Sequence, residues 1–131
     1  MTLLLDSNVL IGLLKGHQGL LAKVQQYEVS TVFLSAIVLH ELAFGAFNGS
    51  KPDFNLRRLE GMAFPQLPFD RHDAIAAGEL RAHLRRLGTP IGNFDTLIAG
   101  QALARGMTLV THNTREFERV PGLKLENWLR D

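Results

Sequence analysis

The sequence predicts an α/β domain built on a short, mostly parallel sheet with helices on both faces. Short apolar or β-branched runs alternate along the chain with stretches of helical periodicity, the pattern that β-α-β crossovers produce. The clearest run, Leu3 to Leu5, is continuously apolar rather than alternating, as a strand covered on both faces requires. The chain has 131 residues without a repeat, a linker or a low-complexity stretch. One domain over 1–131, with a single sizeable core, is the expectation.

Taken in order, Leu3 to Leu5 reads as the first strand. Asp6, Ser7 and Asn8 follow, all good helix caps, and Val9, Leu10, Leu13 and Leu14 then recur at helical spacing up to Gly16. A second helical stretch is expected over Leu20 to Tyr27. Val29 to Leu34 is rich in β-branched residues and reads as the second strand. Ser35 then caps a helix over Ala36 to Phe47, terminated by Asn48-Gly49. Because that helix is apolar on most sides, it is expected to be well buried.

Pro52 and Asp53 open another helix, ending near Gly61. Phe64 to Phe69 contains two prolines, so it is an edge strand or an extended connection. Asp70 caps a long helix reaching about Leu87, stopped by Gly88 and Pro90. A further helix runs from Asn93 or Phe94 to Arg105, before Gly106. Met107 to Thr111 is the clearest strand after the first, and Leu123 to Leu125 is the candidate for a short last one.

Composition narrows the chemistry. The absence of cysteine excludes disulfides, thiolate metal sites and cysteine nucleophiles, and it suits a reducing cytoplasm. The apolar N-terminal stretch lacks a basic lead, carries Asp6 in its middle and is too short to span a bilayer. It is read as buried structure, with no membrane association. A net charge of +1 sets up no strong global field for nucleic acid. Any such binding must come from local basic clusters or from metal ions.

In parallel sheets the site lies beyond the carboxyl ends of the strands, where strand order switches. That rule draws attention to Asp6, directly after the first strand, although capping alone explains an aspartate there equally well. Glu41 lies in the helix over Ala36 to Phe47, beside the small residues Ala43, Gly45 and Ala46. At the edge of a buried face it would need a cation or a proton; an exposed helix glutamate is the other reading. Asp95 sits at a helix start, which also suits capping. Ile98, Ala99 and Ala102 follow it at spacings of three, four and seven, turning Asp95 toward the buried stripe. Asn113 and Glu116 come after the strand Met107 to Thr111, where ordinary surface-loop residues would look the same.

Jointly these residues can converge on one crevice. Clustered carboxylates repel one another, and a hard divalent cation removes the penalty. An all-oxygen set with no cysteine and no histidine pair favours Mg²⁺ or Mn²⁺ over Zn²⁺. Such a site suits phosphodiester hydrolysis by an activated water, with one ion or two. His40-Glu41 and His112-Asn113 lack the second histidine of a zinc motif. No nucleophile elbow, P-loop or dinucleotide fingerprint is present.

The segments LLLDSNVLIGLL around Asp6, LSAIVLHELAFGA around Glu41, GTPIGNFDTLIAGQALARG around Asp95 and LVTHNTREFERVPGLKLENW near the end resemble the PIN-domain family, in particular the VapC-type toxins of bacterial toxin–antitoxin pairs. They span the chain in family order. The resemblance implies a compact PIN fold, Mg²⁺- or Mn²⁺-dependent endoribonuclease activity, a homodimer, and inhibition by a VapB-like antitoxin. It places Asp6, Glu41 and Asp95 on the family's acidic positions. Many PIN proteins carry aspartate where this chain has Asn113, so Glu116 is expected to supply the fourth charge, with Asn113 as a neutral ligand or helper. Ser7, Asn8 and Thr111 are expected as supporting polar groups.

Arg81, Arg85 and Arg86, with His83 between, form the densest basic patch; Arg57 and Arg58 form another, and Arg115 and Arg119 flank Glu116. For any single residue a solvated helix face explains as much as a phosphate contact does. Arg115, adjoining the expected site, is the leading candidate for substrate. Transfer RNA is the substrate that the family suggests, since nothing in the sequence reads a base. The alternatives are a structure-specific DNA nuclease, which would need extra elements to grip its substrate, and a degenerate PIN-like binding module that has lost catalysis.

Overall fold

Leu3, Leu4 and Leu5 form the first strand, β1, and all three are fully buried. Successive strand residues point to opposite faces, so both faces of the sheet are covered at its centre, as the unbroken apolar run requires. The computed structural model describes residues 1–129. The last two residues of the span expected to form one domain, Arg130 and Asp131, lie outside them.

The remaining elements follow in order. Helix α1 spans Ser7–Leu14 and α2 spans Gln18–Val24; strand β2 is Val32–Ser35, and α3 is Ala36–Phe47. Helix α4 covers Pro52–Glu60, β3 is Gln66–Leu67, α5 is Arg71–Arg86 and α6 is Asn93–Arg105. Strand β4 is Thr108–Val110, α7 is Thr114–Phe117 and β5 is Lys124–Glu126. The sheet runs β3-β2-β1-β4-β5, with every pairing parallel. Leu3 sits opposite Val32 on one side and Thr108 on the other. Strand β1 therefore leads to β2 on one flank, while β4 and β5 occupy the other. This switch in strand order puts the crevice beyond the ends of β1 and β4.

Local chemistry sets the helix boundaries. Ser35 accepts from the Ile37 amide at 3.1 Å and caps α3. Asp70 and Asp73 form a reciprocal capping box at the start of α5. Gly106 ends α6 in the left-handed region at φ 63°, a conformation that glycine adopts without a Cβ penalty.

Helices α5 and α6 pack closely. A Cβ on Gly100 would lie 2.5 Å from the Ala77 Cα. The contact is locked from below by Asp73, which is fully buried. Asp73 receives Arg105 Nε at 3.0 Å and a second Arg105 nitrogen at 2.9 Å, with Gln101 Nε2 at 3.1 Å. Burial alone would raise the Asp73 pKa, but the Arg105 hydrogen bonds, the Asp70 amide and Gln101 outweigh it and hold the carboxyl below its ordinary value.

Some expectations change. Val29–Thr31 is a 3-10 turn and β2 begins only at Val32. Helix α2 starts earlier, capped by His17 Nδ1, and stops before Tyr27. Helix α3 is not well buried all round: Val38, Leu42 and Ala46 face the core, while Phe44 and Phe47 are 64% and 66% exposed. Apolarity on every side does not say which side is covered, and α3 buries only the stripe at spacing four.

Candidate active site

Asp6 leaves β1 at the carboxyl edge of the sheet. Its amide still donates to the Val110 carbonyl at 2.9 Å, which locks the residue to β4 before α1 begins. One carboxylate oxygen, Oδ1, accepts from the Ser7 amide at 2.8 Å and caps α1. Oδ2 accepts from the Thr111 hydroxyl at 2.8 Å, in a bond buried from solvent. Thr111 Oγ1 accepts in turn from the Asn113 amide at 3.0 Å. Capping therefore occupies only one Asp6 oxygen, and Thr111, the residue after β4, orients the other.

Glu41 is half-buried on α3, and its Oε1 is buried with no hydrogen-bond partner among the described residues. Burial pushes its pKa up; the nearby Asp6 carboxylate adds to the rise, and His40 opposes it. A carboxylate oxygen removed from water without a donor is costly, so this atom calls for a proton or a cation.

Asp95 stands in the first turn of α6, and the Ile98, Ala99 and Ala102 stripe below it is fully buried. Its pKa is raised to about 6, first by burial, then by Asp6, Glu116 and Glu41, and finally by a hydrogen bond with Glu116. Glu116 moves the opposite way. Its Oε1 accepts from the Gly92 amide at 2.7 Å and its Oε2 from Asn113 Nδ2 at 2.8 Å. The Gly92 hydrogen bond leads in holding the Glu116 carboxyl below its ordinary value; burial opposes it, and Asn113, Arg119 and Asp95 contribute. The two neighbouring acids are thus shifted in opposite directions, Asp95 upward and Glu116 downward.

Gly92, which sequence reasoning passed over, and Arg119, read there only as a basic residue flanking Glu116, set this geometry. A Cβ on Gly92 would lie 3.1 Å from Asp95 Oδ2 and 3.7 Å from Glu116 Oε1. The backbone there has φ −55°, so it is the close approach of the two acids that favours glycine. Arg119 donates to the Pro90 carbonyl at 2.9 Å, tying the connection between α5 and α6 to the region of α7. A glycine three residues before an acid at a helix start was the available signal. His112, between Thr111 and Asn113, is half-buried, and its Nε2 has no hydrogen-bond partner among the described residues; burial lowers its pKa, against the pull of Asp6.

Asp6, Glu41, Asp95 and Glu116 are thus joined electrostatically, with Asp95 feeling all three others. Thr111 and Asn113 are hydrogen-bonded to members of the group. Ser7 joins through its backbone amide. Asn8 and Arg115 are exposed, and among the described residues neither is bonded to the acids. The acids gather beyond the carboxyl ends of β1 and β4, but among the described residues no three acidic or histidine side chains form a ready-made metal cluster. On the Glu41 side lies a cavity of about 270 Å³ between α1, α3 and α4, lined in part by Ile11, Gly45 and Arg58.

Comparison with known proteins adds to this geometry. The PIN domain model matches residues 3–123. The chain is 39% identical over 127 residues to the tRNA(fMet)-specific endonuclease VapC of Salmonella typhimurium, covering 95% of this chain and 96% of the relative. It is 39% identical over 142 residues to ribonuclease VapC2 of Rickettsia felis, covering 98% of each. Among solved structures, the DNA-bound VapBC complex of Salmonella typhimurium contains a chain with a TM-score of 0.92 and 38% identity, covering 98% of both.

Proposed function

The chain belongs to the PIN-domain family, and from that premise we propose that it is a divalent-metal-dependent endoribonuclease, the toxin of a VapBC-type pair. The reading rests above all on the meeting of four acids from distant parts of the chain, Asp6, Glu41, Asp95 and Glu116, whose mutual repulsion adds to burial in raising the Asp95 pKa. Repulsion of this kind is relieved when a cation replaces the proton. The buried, unpartnered Glu41 Oε1 and the all-oxygen donor set fit a hard ion, Mg²⁺ or Mn²⁺.

Asp6, Glu41 and Asp95 would hold the ion, with Glu116 supplying the fourth charge. Asn113 orients Glu116 through Nδ2, which leaves its Oδ1, the atom by which an amide binds a hard ion, able to serve as a neutral ligand. When bound, such an ion lowers the pKa of water and offsets charge on the phosphate and leaving oxygen. The protein's own part is orientation. Thr111 fixes Asp6 Oδ2, and the Gly92 amide and Asn113 keep Glu116 ionised.

The relatives named as ribonucleases favour RNA over DNA as substrate, and transfer RNA is the proposed class. A VapB-like antitoxin is the proposed partner, on the strength of the VapBC complex. A homodimer acting in the cytoplasm completes the proposal. Among the described residues, no helix is long and apolar enough to cross a membrane.

The test is incubation of the purified, antitoxin-free protein with total RNA, with Mg²⁺ or Mn²⁺ and with a chelator. Cleavage with metal, its loss in chelator and its return on adding metal back would support the reading. Binding of RNA without cleavage under every condition would point to a degenerate module instead.

A further inference from the structure

A second cavity lies on the other side of the first turn of α6. Its volume is about 280 Å³, and its lining includes Arg81 and Arg85 from α5, Asn93 and Thr96 from α6, and the apolar Leu84 and Ile91. No carboxylate lines it. Arg81 and Arg85 are four residues apart on α5, so they project from the same face. Both are exposed, and among the described residues neither makes a hydrogen bond or an ion pair. This contrasts with Arg105 and Arg119, whose guanidinium groups are bonded to protein oxygens.

The cavity adjoins the acidic crevice through a shared support. Asn93 and Thr96 bracket Asp95 along α6. The Thr96 hydroxyl donates to the Gly92 carbonyl at 2.9 Å, while the Gly92 amide donates to Glu116. Pro90, another lining residue, is fixed through its carbonyl by Arg119. One short, well-anchored segment thus forms a wall of both the basic cavity and the acidic crevice.

We propose that the cavity between Arg81, Arg85, Asn93 and Thr96 is a phosphate subsite, holding a backbone phosphate of the RNA strand beside the one that is cut. The proposal rests on the ribonuclease reading and names where that substrate is gripped. Two free guanidinium groups suit a phosphate, because each can offer paired donors to its oxygens. Asn93 adds a side-chain amide. A strand passing over the first turn of α6 would present successive phosphates to the acidic crevice and to this cavity. The device would compensate for a chain whose net charge is only +1.

The experiment compares wild type with Arg81→Ala/Arg85→Ala, with Arg81→Lys/Arg85→Lys, and with Arg71→Ala/Lys124→Ala as a charge-matched control. Melting curves verify the fold of each. Steady-state cleavage of RNA gives KM and kcat; binding of a labelled, mixed-sequence single-stranded RNA in chelator gives the salt dependence. The alanine pair should raise KM about tenfold with kcat within about twofold. It should also make the salt slope shallower by about 0.7 for one lost single-strand phosphate contact. The lysine pair should keep most of the slope, and the control should change little. An unchanged KM and slope, or an equal effect in the control pair, would overturn the subsite. If wild type cleaves no RNA with metal, the ribonuclease reading fails, while the binding arm still reports on the cavity by itself.

Discussion

Asn113 donates its Nδ2 hydrogen to Glu116 Oε2 at 2.8 Å. The fourth acidic position is therefore a joined pair, in which a neutral amide holds a carboxylate in place. Replacing Asn113 by aspartate would exchange that attraction for repulsion. Asn113→Asp should destabilise the metal-free protein by about 1–2 kcal/mol, several degrees in Tm. Its Tm should then rise more than that of wild type on adding Mn²⁺. Thermal melts with and without the ion check both halves; an unchanged metal-free Tm would count against the pair.

The pH dependence follows from Asp95. Its folded pKa, about 6, exceeds the ordinary 3.8, so the metal-free folded protein holds this proton more tightly than the unfolded chain does. The stability it contributes is full below about pH 3.8 and is lost as pH rises toward about 6. Asp95→Asn should remove this component of the decline. Asp73, with its lowered pKa, acts in the opposite sense: its contribution is present above the ordinary value and lost as pH falls below it. Because metal must displace the Asp95 proton, Mn²⁺ affinity at pH 5 should be about tenfold weaker than at pH 7. Calorimetric titration at the two values measures this.

Gly92→Ala separates activity from folding. The backbone conformation accepts alanine, but the new methyl would press on Asp95 Oδ2 at 3.1 Å. The expected result is a Tm within a few degrees of wild type and RNA cleavage reduced about tenfold to a hundredfold, as misplacement of reacting groups costs. Full activity would show that the spacing of Asp95 and Glu116 is not critical.

Stability resides elsewhere, at the buried Asp73–Arg105 pair. Arg105→Met leaves Asp73 buried without its cation, with only the Asp70 amide and Gln101 as donors, which should cost about 3 kcal/mol. Arg105 lies ten residues along α6 from Asp95, about 15 Å by helical rise. At low temperature the variant should therefore cleave RNA at close to the normal rate, and denaturant unfolding measures the stability loss.

Much of this was legible in the sequence because it depended on local rules. The apolar run Leu3 to Leu5 announced a central strand. Ser35, Asp70 and Gly106 marked helix ends, and the stripe from Asp95 through Ile98, Ala99 and Ala102 turned an acid toward the core. What could not be read depended on contacts between distant residues. The bond from Gly92 to Glu116 joins positions 24 apart in sequence. The order β3-β2-β1-β4-β5 is a property of assembly that no single segment carries. Helix α7 spans only Thr114–Phe117, too short for periodicity to register. Phe44 and Phe47 looked like core because composition does not reveal which side of a helix is covered.

The central claim is that the acids perform metal-dependent RNA cleavage, and the most direct test is the initial rate of RNA cleavage by Asp6→Asn at saturating Mn²⁺. The substitution keeps a side chain of the same shape but removes the charge next to Thr111 and Glu41. With a cooperative melt confirming the fold, the rate should fall at least about a hundredfold relative to wild type. A rate within a few-fold of wild type would contradict the account.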